Sequence, residues 1–486
     1  MSADTVGFAL LLLGVVLLVG KVIRIKARWT QHLFLPSSII AGFLALLLGP
    51  EVLGALATTA GVDGLAAGGV FSEEILEVWS ILPGLLISVV FATLFLGHRI
   101  PNPVRAARLT GPQLSVGVTL ASGQYVLGLL LAVLVLAPVF GISPMAGALI
   151  EIGFEGGHGT AAGMAPVMDE LGFPEGGDLA LGIATIGLVS GIVIGVAAIN
   201  WAVRTGRTVV ITGQVKQSVE EQKGLFRKDE QYPAAMMTTR PASVEPLALH
   251  FAVVALAILL GWLVLSGLQQ LEQLLWADTV ELLAFVPLFP LAMLGGVAVQ
   301  VFLDRTGNTQ LVDERMMVRI QGLALDLLIV SALATISVTA IADNLGPFLI
   351  LVGAGVLFNV LVLLLLIPRT IPQYWFERGI GDFGQSMGVT ATGLILMRIV
   401  DPDGKSPAFE AFGYKQLLFE PFFGGGLITA TAIPLIYQFG PWPLLSAMAV
   451  LFVVSALTGL LYFGRQKWDV DAERNQPATE EGHASE

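Results

Sequence analysis

Residues 151–163 read Glu-Ile-Gly-Phe-Glu-Gly-Gly-His-Gly-Thr-Ala-Ala-Gly, and residues 382–393 read Asp-Phe-Gly-Gln-Ser-Met-Gly-Val-Thr-Ala-Thr-Gly. A shift of 230 lays Thr160-Ala161-Ala162-Gly163-Met164 over Thr390-Ala391-Thr392-Gly393-Leu394. Both stretches sit in apolar surroundings yet are broken by glycine and charge. In hydrocarbon an unpaired backbone N–H or C=O is prohibitive, so interrupted backbone at membrane depth is buried in protein or lines a polar cavity. The two stretches therefore predict re-entrant hairpins near 146–173 and 382–400. The chain around them names the solvent: of 486 residues, 55% are apolar and 13% charged, with a mean hydropathy of +0.81. Soluble proteins carry about 25% charged residues. This chain is built for a bilayer.

A spanning helix needs about 20 mainly apolar residues. Such runs lie near 5–23, 34–56, 81–97, 113–136 and 181–203, then near 247–268, 282–303, 320–341, 344–368, 416–439 and 443–463. The reading is an all-α integral membrane protein with 11 transmembrane helices, five plus five and one extra. Asp4 before the first run and Lys21, Arg24, Lys26 and Arg28 after it reverse the charge order of a leader peptide. Cytoplasmic segments are enriched in Lys and Arg. With the amino terminus outside and the carboxyl terminus in the cytoplasm, segments 21–33, 98–112, 204–246, 304–319, 369–415 and 464–486 fall inside and hold all 25 basic residues. The outward loops carry acids such as Glu73, Glu74, Glu77, Asp169, Glu170, Glu175, Asp178 and Asp278. A net charge of -12 argues against nucleic acid. The absence of cysteine excludes disulfides and thiolate metal sites, and no hydrolase or phosphate-loop motif occurs.

Five spans separate the hairpins, and five is odd, so one enters from outside and the other from the cytoplasm. That is an inverted repeat. Ala92-Thr93-Leu94 against Ala334-Thr335-Ile336 is a weaker echo in the third span of each half. The organisation read from the chain is a first repeat over 1–206, a cytoplasmic linker over 207–246, a second repeat over 247–440, an extra span over 441–464 and a disordered tail over 465–486. Inverted halves with broken helices suit a secondary transporter. Helix amino ends at a hairpin tip favour a carboxylate, while carboxyl ends and free carbonyls suit a hard cation.

The GGHGT run at Gly156-Gly157-His158-Gly159-Thr160 resembles the pore-loop motif of the glutamate:sodium symporter family, and the likeness extends over both halves, about 34 to 440. The second loop departs from the family's better-known version. The resemblance implies sodium-coupled glutamate uptake at the inner membrane and a homodimer whose transport domains slide against a scaffold. The implied substrate contacts are Gly156, Gly157, His158, Gly159, Thr160, Gln385, Ser386 and Arg398, the last as a guanidinium clamp or a surface residue pairing with Asp401 or Asp403. The expected sodium ligands are Glu155, Asp326, Thr335, Thr390 and Thr392. Glu151 reads as nearer the outside and solvated. His158 is a ligand contact or a neutral imidazole that holds the hairpin, and as the one histidine within a hairpin it supplies no transition-metal set. No cofactor is expected beyond Na⁺. Other readings are a proton- or sodium-coupled carrier of another carboxylate and, further off, an ion channel.

Overall fold

The computed structural model describes residues 2–32, 35–61, 68–97, 103–210, 223, 225–227, 231–275, 283–402 and 404–465. Parts of the 207–246 linker and nearly all of the tail lie outside them, as does Asp403. Among the described residues, 11 helices are long and apolar enough to cross a membrane. They are α1 (Ala3–Lys26), α2 (Ser37–Thr59), α3 (Glu73–Thr93), α4 (Thr110–Phe140), α7 (Glu175–Arg204), α8 (Pro246–Leu275), α9 (Leu288–Thr306), α10 (Glu314–Ala334), α11 (Leu345–Thr370), α12 (Trp375–Val400) and α15 (Pro441–Arg465). Between α4 and α7 lie α5 (Pro144–Phe154) and α6 (Gly157–Glu170); between α12 and α15 lie α13 (Ala408–Phe419) and α14 (Leu427–Phe439).

The number of spans agrees with the sequence reading, but one member differs. The expected straight span over 416–439 is two short helices, α13 and α14, parted by Glu420–Gly426. Pro421 has no N–H to give a helix, and Gly424 and Gly425 take φ of +67° and +106°. The eleventh long helix is instead α12, expected as a hairpin, and it is no straight rod. Gly388 and Val389 leave helical geometry, and the limbs on either side fold back: a Cβ on Gly381 would lie 2.6 Å from Met397 Sδ, and one on Gly384 2.7 Å from Gly393 Cα. A continuous helix would hold residues 381 and 397 about 24 Å apart. The third span also starts earlier than expected, because Glu73 and Glu74 form its first turn, where the helix dipole favours acids.

The helices sort into two bundles. In one, α8 packs on α9, α3 on α9 and α10, and α2 on α1 and α10. Trp79 of α3 donates Nε1–H to the Ala9 carbonyl of α1 (3.0 Å) inside this bundle. In the other, α7 packs against α5, α6 and α12, while α4 packs against α13 and α15. Helix α6 joins the bundles by lying against α3 and α10, its Gly159 and Gly163 facing Ile87. Phe251, Trp262 and Leu274 of α8 are exposed, a surface that lipid covers without cost.

The two long helices that lead into the broken elements share a local feature. A π-helical turn occupies Ala132–Leu136 in α4 and Val362–Leu366 in α11. A last α-helical turn follows at Ala137–Phe140 and Ile367–Thr370. Both pairs are 230 residues apart.

Candidate functional site

Helix α7 serves as a ruler for the broken segments, because its glycines admit neighbours to backbone distance. Gly177 faces Ala165 of α6, and Thr185 meets His158. At mid-helix Gly187 faces Phe154 and the Met387 carbonyl, and a Cβ on Gly388 would lie 2.8 Å from Leu188 Cα. Further along, Gly191 meets Met387 and Gly195 meets Leu396. The break at Glu155–Gly157 and the break at Gly388–Val389 thus meet at the middle of α7. From there α6 runs back toward Glu175, and the return limb of α12 runs toward Arg204. The tips touch, since a Cβ on Gly157 would overlap Val389 Cγ1. Gly157 has φ +67° and Val389 φ +58°, the latter a rare conformation for a β-branched residue.

A third break closes the site. The Gly424 carbonyl faces Thr160 Oγ1 (3.5 Å), and the Gly424 N–H donates to Glu151 Oε1 (3.0 Å). Glu151, expected to be solvated, is fully buried. Its carboxylate also accepts from Thr429 Oγ1 (2.8 Å) and Tyr125 OH (2.7 Å), so it ties α5 to α4 and to the loop before α14. Glu151→Ala leaves two buried donors, Tyr125 and Thr429, and the half-buried Gly424 N–H unpaired, each costing about 1–3 kcal/mol. The expected result is a loss of about 3 kcal/mol or more and a lower melting temperature of the purified protein. Glu151→Gln keeps an acceptor oxygen and should lose clearly less in the same melt.

Glu155, at the first tip, is 3% exposed, and among the described residues neither carboxylate oxygen has a hydrogen-bond partner. His158 is buried, with Nε2 2.9 Å from Thr185 Oγ1. The Thr185 hydroxyl donates to the Leu181 carbonyl (3.0 Å), so it accepts from His158 Nε2–H and anchors the return limb to α7. The second tip carries Thr390, whose Oγ1 donates to Glu420 Oε1 (2.9 Å). Ser386 donates its hydroxyl to the Phe383 carbonyl (3.1 Å), while its own carbonyl accepts from Gln124 (2.8 Å) and Asn359 (3.0 Å). Thr392 bonds the Gly388 carbonyl and stabilises the break.

The structure therefore gathers Glu155, Gly156, Gly157, His158, Gly159, Thr160, Gln385, Ser386, Thr390 and Thr392 around the two tips. It does not bring the other three there. Arg398 is exposed on the return limb of α12, and Asp401 spends its carboxylate on the N–H groups of Lys405 and Ser406 (both 2.8 Å). Asp326 is half-buried on α10, in the other bundle, beside Ser38 of α2. Thr335 ends α10, donates to the Ser331 carbonyl (3.0 Å) and lines a separate open cavity of about 330 Å³ with Ser80, Asp169 and Asp178.

Sequence reasoning missed a buried ion pair, Lys415 Nζ to Asp382 Oδ1 at 3.1 Å, with both side chains at most 1% exposed. Lys415 also donates to Gln385 Oε1 and lies over the Phe419 ring, 4.3 Å from its centroid. The available signal was Phe412 and Phe419, three before and four after Lys415, which put aromatic rings on the lysine's own helix face.

Two helical return limbs start at one point, and a buried carboxylate without a hydrogen-bond partner among the described residues, Glu155, stands at the first tip beside Gly424. Their N–H ends suit an anion, and the carboxylate suits a cation. The sequence matches the sodium/glutamate symporter family over residues 4–401. Proteins named sodium/glutamate symporter from Escherichia coli (strain K12) and Shigella flexneri are each 24% identical to it over 405 residues, covering 80% of this chain and 92% of theirs. No solved structure matches. With the match running over most of its length, the chain belongs to the sodium/glutamate symporter family.

Proposed function

We propose that the chain carries glutamate into the cell together with sodium, by alternating access across the inner membrane, with the substrate held between the tips at Gly157 and Val389. The observation that carries the reading is the meeting of both tips at the middle of α7, beside the unpartnered Glu155. Helix amino ends there favour the substrate's carboxylates. Glu155, with the hydroxyls of Thr160 and Thr390 and nearby carbonyls, supplies oxygen to sodium.

The architecture is read as two inverted repeats with opposed re-entrant hairpins, amino terminus outside and carboxyl terminus in the cytoplasm. Its supports are the 230-residue spacing of the π-helical turns and the opposite directions in which the return limbs leave the centre of α7. The first three spans of each half share one bundle, and the later elements of each half share the other. That division suits a scaffold and a transport domain, with α6 at their contact and scaffolds paired in a homodimer. Glycines on α6 present a smooth face to Ile87 and Phe289, across which sliding meets few protrusions.

Radiolabelled glutamate uptake by proteoliposomes under an imposed sodium gradient, with amino acids and dicarboxylates as competitors, tests the proposal. Sodium-independent uptake at fixed pH, or no uptake at all, rejects it. Thr160→Val and Thr390→Val remove hydroxyls without changing volume much. Each is expected to weaken sodium dependence of uptake by about tenfold, the value of one net hydrogen-bonding contact, while membrane insertion is kept. Wild-type sodium titrations in both variants would remove these hydroxyls from the site.

A further inference from the structure

Lys415 is at the centre of a feature that sodium-coupled uptake does not require. The side chain runs from α13 into a slot between α4 and the first limb of α12, and it is 0% exposed. A glycine makes the slot: a Cβ on Gly117 of α4 would lie 2.8 Å from Nζ and overlap Cε. Around the ammonium stand the Asp382 carboxylate, the Gln385 amide oxygen and the faces of Phe419 and Phe412. A carboxylate, an amide oxygen and aromatic faces are a cation's surroundings. Asp382 is buried three residues before Gln385 on the same limb and six before the break at Gly388, so its charge needs compensation close to the proposed sodium site. An uncompensated buried carboxylate is strongly destabilising.

We propose that Lys415 is a resident cation: its tethered ammonium fills, on Asp382 and Gln385, a position that a coupling sodium ion would otherwise take. Glu155 is then the carboxylate left open to exchangeable sodium: among the described residues neither carboxylate accepts a hydrogen bond, but Asp382 has the Lys415 ammonium 3.1 Å from Oδ1 and Glu155 has no ion pair. The inference rests on the sodium-coupled reading above and deepens it by fixing how many cations the chain itself supplies. Lys415 lies outside the range of the family match, residues 4–401.

The test counts sodium. Equilibrium binding of radioactive sodium to purified protein in detergent, with saturating glutamate, is compared for wild type, Lys415→Met and the double variant Asp382→Asn with Lys415→Met. The single variant is expected to bind one more sodium per subunit than wild type, and the double variant the wild-type number. Equal counts in wild type and the single variant overturn the proposal, since Asp382 is then compensated by another group such as the neighbouring Arg378. A double variant that binds more than wild type also overturns it. If Lys415→Met proves unstable, it is expected to be recovered in sodium chloride and lost in choline chloride; loss in both salts again overturns the proposal. Wild-type uptake is measured alongside, and a failure there to respond to sodium condemns the sodium-coupled reading, whereas the binding counts judge Lys415.

Discussion

Glu155→Gln is expected to abolish the sodium dependence of uptake while leaving the protein folded. The carboxylate sits at the first tip, 3% exposed and without a hydrogen-bond partner among the described residues. The nearest positive side chain of the cluster, Lys415, is committed to Asp382 at 3.1 Å. An ionised group at membrane depth costs about 2.5–3.5 kcal/mol or more when left alone, and a bound cation recovers that cost. Glutamine keeps the shape and removes the charge, so the sodium affinity should fall by roughly 60–300-fold, at about 1.4 kcal/mol per tenfold. Stability in sodium-free buffer should stay the same or rise, since no buried charge remains. A sodium titration of uptake with an unchanged midpoint in Glu155→Gln would show that the ion binds elsewhere. Glu155→Asp, which withdraws the charge by one methylene, should fall between the two.

The breaks at Glu155–Gly157 and Gly388–Val389 fall inside the two stretches that the sequence marks, because glycine and charge inside apolar runs are expensive in lipid and only burial of the broken backbone offsets them. Glu155 and Thr160 lie beside the first break for the same reason: Gly157, at φ +67°, takes the turn between them. Lys415 is not marked in this way. A lone lysine beside a span reads as interfacial under the positive-inside rule, and only the slot at Gly117, which comes from a helix about 300 residues earlier, takes it inside. Arg398 and Asp326 lie away from the tips because depth along one chain does not fix place in three dimensions. Once α12 folds back on itself, Arg398 lies on its exposed side; Asp326 is at a plausible depth, but on a helix of the other bundle. The hydroxyls of Ser331 and Thr335 bond carbonyls of their own helix, as helix packing rather than ion binding requires.

The contact between the tips makes the second large effect. At Gly157, φ is +67° and the missing Cβ is the space taken by Val389 Cγ1. Gly157→Ala therefore meets two penalties. The left-handed backbone costs a side chain about 1–2 kcal/mol, and overpacking in a filled site adds about 1–3 kcal/mol. The tips must part, and with them the oxygens and N–H groups that share one ligand. Uptake in Gly157→Ala is expected to fall by about 100-fold or more, with normal insertion. Val389 is itself held at φ +58°, where a β-branched residue is strained. Val389→Gly relieves that strain and vacates the space the methyl added in Gly157→Ala would need. The double variant should then regain a large part of the lost uptake, leaving chiefly the backbone term. Equal losses in the single and double variants would mean that the tips do not need this contact during transport. Recovery in the double variant, together with a weaker effect of Val389→Gly alone, ties the two halves of the chain to one site through a pair of residues 232 positions apart.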